Sequence, residues 1–189
     1  MPARNEAALD FLATRRSVPP RMLTAPAPEG ERLDRLLAIA LRVPDHGKLE
    51  PWRLVVLGPE ARARLREPLA AATAARGDDE AGIAKTVSAL DSPLIVAVVH
   101  TPGPTDRIPA REQLVSAGAV AVTLLQAALA DGWGASLLTG PMAEDSFART
   151  HLGLGPDESI VGFVHIGTAP DRPVPERPRP DPAARISQA

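Results

Sequence analysis

The chain has 189 residues, 44% of them hydrophobic, which is enough to bury the core of one domain. Its formal net charge of −2 and its 3% share of aromatic residues argue against binding nucleic acid through a basic face or stacked aromatic side chains. The absence of cysteine excludes disulfides, thiolate nucleophiles and cysteine-bound metal.

The N-terminal segment predicts a helix rather than a targeting signal. Asn5 is placed to cap a helix that runs toward Arg15 and is stopped by Pro19-Pro20. Charges recur along this segment, so it lacks the apolar stretch of a signal peptide. No stretch of the chain reaches the ~18 consecutive apolar residues of a membrane helix. We therefore expect a cytoplasmic protein without a membrane partner.

Hydrophobic periodicity predicts the remaining elements in chain order. Helices are expected over about 29–42, 59–76 with an interruption at Pro68, 79–90, 113–130 and 144–152. Strands are expected over 53–57, 94–99, 135–138 and 160–166. The segment 44–52 is polar and bounded by prolines, which predicts a loop. The irregular alternation indicates an α+β protein with one central sheet around a long apolar helix.

Two segments depart from the usual balance of polar and apolar residues. The helix over 113–130 is almost free of charge, so we expect it to be buried nearly all round, in a core or a subunit interface. The tail after Gly167 is rich in proline and arginine and too poor in apolar residues to form a core of its own. We expect one domain over 1–189, with this tail lying against another surface.

Three clusters could carry chemistry, and each also has an ordinary structural interpretation. Arg15-Arg16-Ser17 could clamp a phosphate or a polarised carbonyl, or could simply be a solvated helix end. His46, following Arg42, could donate to a ligand, or could be a turn histidine satisfied by the backbone. Arg177 and Arg179 are stiffened by prolines, which favours anion binding, although disordered tails often have this composition.

Other motifs of catalysis are missing from the sequence. Neither glycine pair near 132 and 153 completes a G-x-G-x-x-G dinucleotide fingerprint, and no P-loop or G-x-S-x-G elbow occurs. The four histidines show no metal-ligand spacing. We expect no metal site and no side-chain nucleophile.

Taken in order, several segments resemble the nitroreductase superfamily. The Asp-His form of the second segment resembles a compact bacterial subfamily of FMN-dependent NAD(P)H nitroreductases of about this length. The segments are Arg15-Arg16-Ser17, Arg42 to Trp52 (similar to A-P-[SD]-x-x-x-x-Q-P-W), Glu112-Gln113 with Ser116 to Ala119, Gly132-x-Gly134, Leu137 to Gly140, and Ile160 to Thr168.

The resemblance implies an intertwined homodimer of the nitroreductase-like fold, with a mostly antiparallel sheet and two FMN sites at the subunit interface. The C-terminal tail, about 168–189, would wrap the partner subunit. By position, the implied FMN contacts are Arg15, Arg16, Ser17, Arg42, His46, Leu137, Leu138, Thr139, Gly140, Arg177 and Arg179. The stretch associated with the nicotinamide cofactor is Ala127, Ala128, Leu129, Ala130, Asp131 and Gly132.

The implied activity is hydride transfer from NADH or NADPH to N5 of FMN and then to a small acceptor such as a nitroaromatic, a quinone or an enone. Arg15 or Arg16 would stabilise the negative charge of reduced flavin near N1 and the C2 carbonyl. The alternatives are a non-catalytic protein that stores or senses FMN on the same fold, and an α-rich interaction protein without a cofactor.

The sequence also departs from the family pattern at two places. Glu50 stands where relatives usually have glutamine before Pro-Trp, so an acceptor-only carboxylate replaces an amide donor. Many larger members carry an asparagine in the central helix, and residues 119–123 contain none. Both differences bear on substrate preference more than on flavin binding.

Overall fold

The computed structural model describes residues 3–172 and 174–188, and the secondary structure of this part surrounds one four-stranded sheet. The helices are α1 (Glu6–Thr14), α2 (Gly30–Ala40), α3 (Pro59–Ala75), α4 (Glu80–Ser88), α5 (Ala110–Ala130) and α6 (Asp145–Leu152). The strands are β1 (Trp52–Leu57), β2 (Leu94–His100), β3 (Gly134–Leu138) and β4 (Ser159–Gly167). The expected α+β class is confirmed.

The sheet has the order β1-β2-β4-β3, and every neighbouring pair is antiparallel. All residues of β2 are buried, as its continuous apolar sequence predicts, because helices cover both faces. Val96 and Val98 join the core formed with α2 and α5, whereas Ile95 and Ala97 join the core formed with α3 and α6. β1 and β3 are left as the two edges of the sheet.

Helix α5 packs one face against the sheet and α2, so Val120 and Leu124 are fully buried. By length and composition alone α5 could cross a membrane, but its buried face is part of the protein core. In the single chain one side of α5 is exposed, and its expected burial in a subunit interface stays a prediction. The side chains of Leu114, Val115 and Val122 are 49%, 73% and 43% exposed and form one stripe along the helix.

Two local predictions also need correction. α3 continues through Pro68, which lacks the N–H that would bond the Arg64 carbonyl. Arg64 lies on the exposed side of α3, where water can satisfy this carbonyl, so the helix tolerates the proline. The predicted loop 44–52 contains one short 3-10 turn, His46–Lys48.

The N-terminal segment lies against the edge strand β3. Asn5 caps α1 as predicted, since its side chain accepts from the Ala8 N–H. After α1, the Val18 N–H donates to the Ala135 carbonyl at 2.9 Å, and Thr24 forms a bridge with Thr168 at the end of β4. Residues 15–17 are therefore held beside the start of β3.

Candidate functional site

A small cavity of about 110 Å³ brings together residues from the two ends of the sequence. It is lined by Arg15, Arg16, Ser17, Arg177 and Arg179. All of these are predicted site residues, and the two groups are separated by some 160 positions in the chain. Four guanidiniums around one cavity repel one another, so the arrangement favours a bound anion.

Arg15 lines this cavity and does not satisfy all of its own hydrogen-bond donors. Its Nη1 is buried and has no hydrogen-bond partner among the described residues. A buried guanidinium nitrogen without a partner costs free energy, and an anionic oxygen in the cavity would remove that cost. The donor set therefore fits a phosphate group.

An acidic side chain of the tail already bonds to the same cluster. The Oε1 atom of Glu176 accepts from Arg16 Nη1 at 2.8 Å, from Arg179 Nε at 2.9 Å and from the Arg177 N–H at 2.9 Å. These bonds, led by the one from the Arg177 N–H, lower the pKa of Glu176 to about 2. The carboxylate is thus ionised at neutral pH.

The far end of β3 borders a second cavity, of about 350 Å³, on the sheet face that α3 and α4 cover. Leu138, Thr139 and Gly140 line it, as does His165 on the neighbouring strand. Leu137 points to the opposite face and packs against the core around α5. Leu138 lies three positions after Ala135. At about 3.3 Å per residue, this places the cavity about 10 Å along the edge strand from the arginine end of β3.

His165 forms part of the floor of the second cavity. Its Nδ1 lies 3.0 Å from Ser92 Oγ, and the side chain is 1% exposed. Burial lowers the pKa of His165 to about 4, so the imidazole is neutral at physiological pH. A neutral histidine there adds no charge to the floor of the cavity.

The loop 44–52 is anchored on the first turns of α5. His46 Nδ1 lies 2.7 Å from Glu112 Oε2, and Ser116 Oγ donates to the Pro44 carbonyl. Lys48 and Glu50 have φ values of 54° and 48°, a left-handed conformation that non-glycine residues rarely adopt. The loop thus holds His46 at an exposed position beside an apolar cavity of about 340 Å³ that Val115 also lines.

The remaining predicted residues lie elsewhere. Arg42 is exposed just after α2 and does not line the arginine cavity. Of the stretch 127–132, Ala127, Ala130 and Asp131 line a groove of about 560 Å³ between α2 and the end of α5. Asp131 is bonded there by Arg32 at 2.6 Å, which lowers the pKa of Asp131. A single chain therefore does not bring Arg42, His46 and the arginine cavity together.

Gln113 organises the loop that follows β2. Its Oε1 accepts from the Gly103 N–H at 2.7 Å, and its Nε2 donates to the carbonyls of Pro104 and Ile108 at 3.1 and 2.9 Å. The side chain is 2% exposed. Ile108 in turn covers the backbone of Gly47, so this loop supports the turn that carries His46.

The comparisons with known proteins agree with this arrangement. Residues 12–168 match the nitroreductase family. The chain belongs to the nitroreductase family. YdjA of Escherichia coli (strain K12), which is named as an NAD(P)H nitroreductase, is 35% identical over 162 residues, 85% of this chain and 87% of YdjA. As a nitroreductase-family member with such relatives, the protein is an oxidoreductase of the NAD(P)H nitroreductase type.

Solved structures show the nitroreductase fold. A nitroreductase-like family protein from Bacillus cereus superposes with a TM-score of 0.79 at 24% identity and covers 100% of this chain and 98% of its own. The FMN and NADPH-dependent nitroreductase NfnB from a Sphingopyxis strain (HMH) superposes with a TM-score of 0.73 at 23% identity, covering 96% and 98%. The central antiparallel sheet flanked by helices is that fold.

Sequence reasoning missed Glu176, His165 and Gln113 as parts of these sites. Glu176 directly precedes Arg177, so a carboxylate beside an arginine cluster was a signal available in the sequence. His165 lies two residues after Phe163 in a predicted strand, so the sequence already placed both side chains on the same face of β4. Gln113 has no such signal, because only the folded loop shows which backbone groups it bonds.

Proposed function

We propose that this protein is an FMN-dependent NAD(P)H oxidoreductase that reduces a nitroaromatic, a quinone or a similar small acceptor. The observation that carries the proposal is the convergence of Arg15, Arg16, Ser17, Arg177 and Arg179 on one cavity with a buried, unpaired guanidinium nitrogen. A phosphate oxygen is the ligand atom that such a donor set favours.

The two ends of β3 suggest how the cofactor would be held. The arginines and Ser17 would bind the phosphate, and Leu138 to Gly140 would contact the ring system farther along the strand edge. Bound FMN would supply the group that accepts hydride from NAD(P)H at N5 and then donates the two electrons to the acceptor. Arg15 or Arg16 would provide fixed positive charge for the pyrimidine side, and no side-chain acid or base is required.

We also propose that the functional unit is a homodimer whose sites combine both chains. Glu112 and Asp131 are separated by the length of α5, about 28 Å at ~1.5 Å per residue. His46 contacts the Glu112 end of α5, whereas residues 15–17 lie beside Ala135, just after the Asp131 end. His46 and Arg15 of the same chain therefore lie too far apart to contact one flavin. In the proposed dimer, His46 of one chain would contact the flavin that Arg15 of the other chain holds.

The surface of α5 supports this assembly. Its exposed stripe of Leu114, Val115 and Val122 is flanked by the apolar cavity beside His46. Association would remove this stripe from water, and each Å² of apolar surface buried would contribute roughly 25 cal/mol of favourable free energy. The wrapping of the partner by the tail and the cytoplasmic location stay predictions, as does a role for residues 127–132 toward the nicotinamide cofactor.

Anaerobic reduction tests the activity. Purified protein loaded with FMN is mixed with NADH or NADPH in a stopped-flow instrument, and the flavin absorbance is followed before acceptors are added. We expect bleaching by at least one nucleotide and recovery of the absorbance with a nitroaromatic or a quinone. Protein that binds FMN but stays oxidised with both nucleotides would be the non-catalytic binder, and protein that binds no FMN would contradict the proposal.

The phosphate clamp is tested by Arg15→Ala and Arg16→Ala. Each removes charge-assisted hydrogen bonds worth about 1.5–3 kcal/mol, so the Kd for FMN is expected to rise roughly tenfold or more in each variant. The matched control is Arg64→Ala, which removes an exposed arginine from α3. Flavin fluorescence titration measures the Kd, and a Kd that is unchanged in both variants would remove the clamp from the proposal.

A further inference from the structure

The carboxylate of Glu176 bonds two of the arginines that line the anion cavity, Arg16 and Arg179, although Glu176 does not line the cavity itself. Its Oε1 atom accepts three hydrogen bonds, from Arg16 Nη1, Arg179 Nε and the Arg177 N–H, at 2.8–2.9 Å. The side chain of Glu176 is 60% exposed, whereas that of Arg16 is 21% exposed. The acid thus reaches into the cluster from the solvent side and can leave it without unfolding the core.

A phosphate and this carboxylate would accept hydrogen bonds from the same donors. Both are anionic oxygen acceptors, and the N–H groups of Arg16 and Arg179 that bond Glu176 cannot bond a second acceptor equally well. A phosphate in the cavity and a carboxylate bonded to two of the arginines that line it also repel each other. Arg15, in contrast, has no bond to Glu176 and keeps a donor unpaired.

We propose that Glu176 is a tethered competitor that holds the donors of Arg16 and Arg179 until a phosphorylated ligand in the neighbouring cavity takes them over. This inference rests on the proposed function, because it takes the arginine cluster to be the phosphate site. Arg15 lines the same cavity and gives the phosphate a contact that Glu176 does not use. The dianionic phosphate then takes the donors of Arg16 and Arg179, and the tail segment around Glu176 is released from them.

Competition of this kind sets the affinity for phosphate-bearing ligands and leaves ligands without phosphate unaffected. It also neutralises part of the arginine charge while the site holds no ligand, which limits binding of weaker anions. The opposite role is an organising one, in which Glu176 holds Arg16 and Arg179 ready for the phosphate. The two roles differ in sign, because loss of the carboxylate strengthens phosphate binding in the first and weakens it in the second.

Glu176→Gln tests the inference, since the amide keeps the shape and removes the charge. Protein stripped of any co-purified flavin is titrated with FMN, riboflavin and inorganic phosphate, by flavin fluorescence for the first two and by calorimetry for phosphate. We expect the Kd for FMN and for phosphate to fall by about three- to tenfold in the variant, with riboflavin unchanged. The control is Asp91→Asn, which breaks an ion pair with Arg66 of matching exposure.

The outcomes separate the two claims. If the native protein binds FMN and the variant binds it equally or more weakly, Glu176 is not a competitor, and the proposed function stands. An equal gain for riboflavin would also overturn the inference, because riboflavin has no phosphate. If neither protein binds FMN, the proposed function fails and the inference fails with it.

Discussion

At the scale of single residues, one ion pair joins three parts of the sheet. Arg53 on β1 donates through Nε and Nη2 to the two carboxylate oxygens of Glu158 at 2.7 and 2.6 Å. Glu158 also accepts from Thr101 Oγ1 at 3.0 Å and from the Gly155 N–H at 2.8 Å. The bond from Arg53 is the main cause that lowers the pKa of Glu158 to about 2.

The contribution of Glu158 to stability therefore depends on pH. Because its pKa is lowered on folding, the carboxylate stabilises the fold above about pH 4.5, and this stabilisation is lost as the pH falls toward 2. Glu158→Gln is expected to reduce the free energy of unfolding by about 1–3 kcal/mol at pH 7 and by less near pH 3. Denaturant unfolding of both proteins at the two pH values measures this. The assignment would be contradicted if the loss of unfolding free energy were as large at pH 3 as at pH 7. It would also be contradicted if Glu67→Gln, on the exposed face of α3, caused the same loss.

At the scale of elements, α5 combines three roles along one helix. Its inner face supplies Val120 and Leu124 to the core, and its exposed stripe stays apolar. Its first turns anchor two loops, through the contact of Glu112 with His46 and the bonds of Gln113 to the loop after β2. The first turns of α5 thus contribute to fixing the position of His46.

Gln113→Leu tests this loop anchoring. The substitution keeps the volume but leaves the Gly103 N–H and the carbonyls of Pro104 and Ile108 without their partner. We expect a loss of roughly 2 kcal/mol or more in the free energy of unfolding, since buried unpaired polar groups cost about 1–3 kcal/mol each. Hydrogen exchange should accelerate at Gly103 while β2 remains protected. Gln126→Leu, farther along α5, is the control, and equal exchange at Gly103 in both variants would rule out the anchoring role.

At the scale of the whole molecule, the predicted site residues of one chain lie toward opposite ends of α5. The exposed apolar stripe between them is the surface on which we propose that a second copy packs. In the proposed dimer, cofactor binding and subunit association would depend on each other, because each site would need residues of both chains.

Val115→Lys is expected to separate the subunits. Val115 is 73% exposed in the single chain, so the lysine should not disturb the monomer fold, but it would place a charge in the apolar contact. Sedimentation equilibrium should show a shift from dimer to monomer, together with loss of bound flavin. The control is Val56→Lys, an exposed position on the β1 edge. A variant that remains dimeric with full flavin content would place the interface elsewhere.

Local patterns explain why much of the fold was predictable. The apolar, β-branched run Leu94–Val99 is typical of a strand covered on both faces, and the cap at Asn5 and the periodicity of α2 are properties of a few consecutive residues. Pro68 was read wrongly because the exposure of the Arg64 carbonyl, which decides whether a helix tolerates the proline, is not a local property. The order and spacing of the segments also identified the nitroreductase family.

The residue types able to hold a phosphate, and the strands and helices that carry them, could be recognised from neighbouring positions in the chain. Which of those side chains meet depended on contacts between distant segments: the tail returning to Arg16, the amide of Gln113 bonding a loop, and Glu176 entering the cluster. The physical reason is the separation along the chain over which each kind of interaction acts. Periodicity, caps and turn residues act over a few bonds, whereas burial and charge pairing act between groups that folding alone brings into contact.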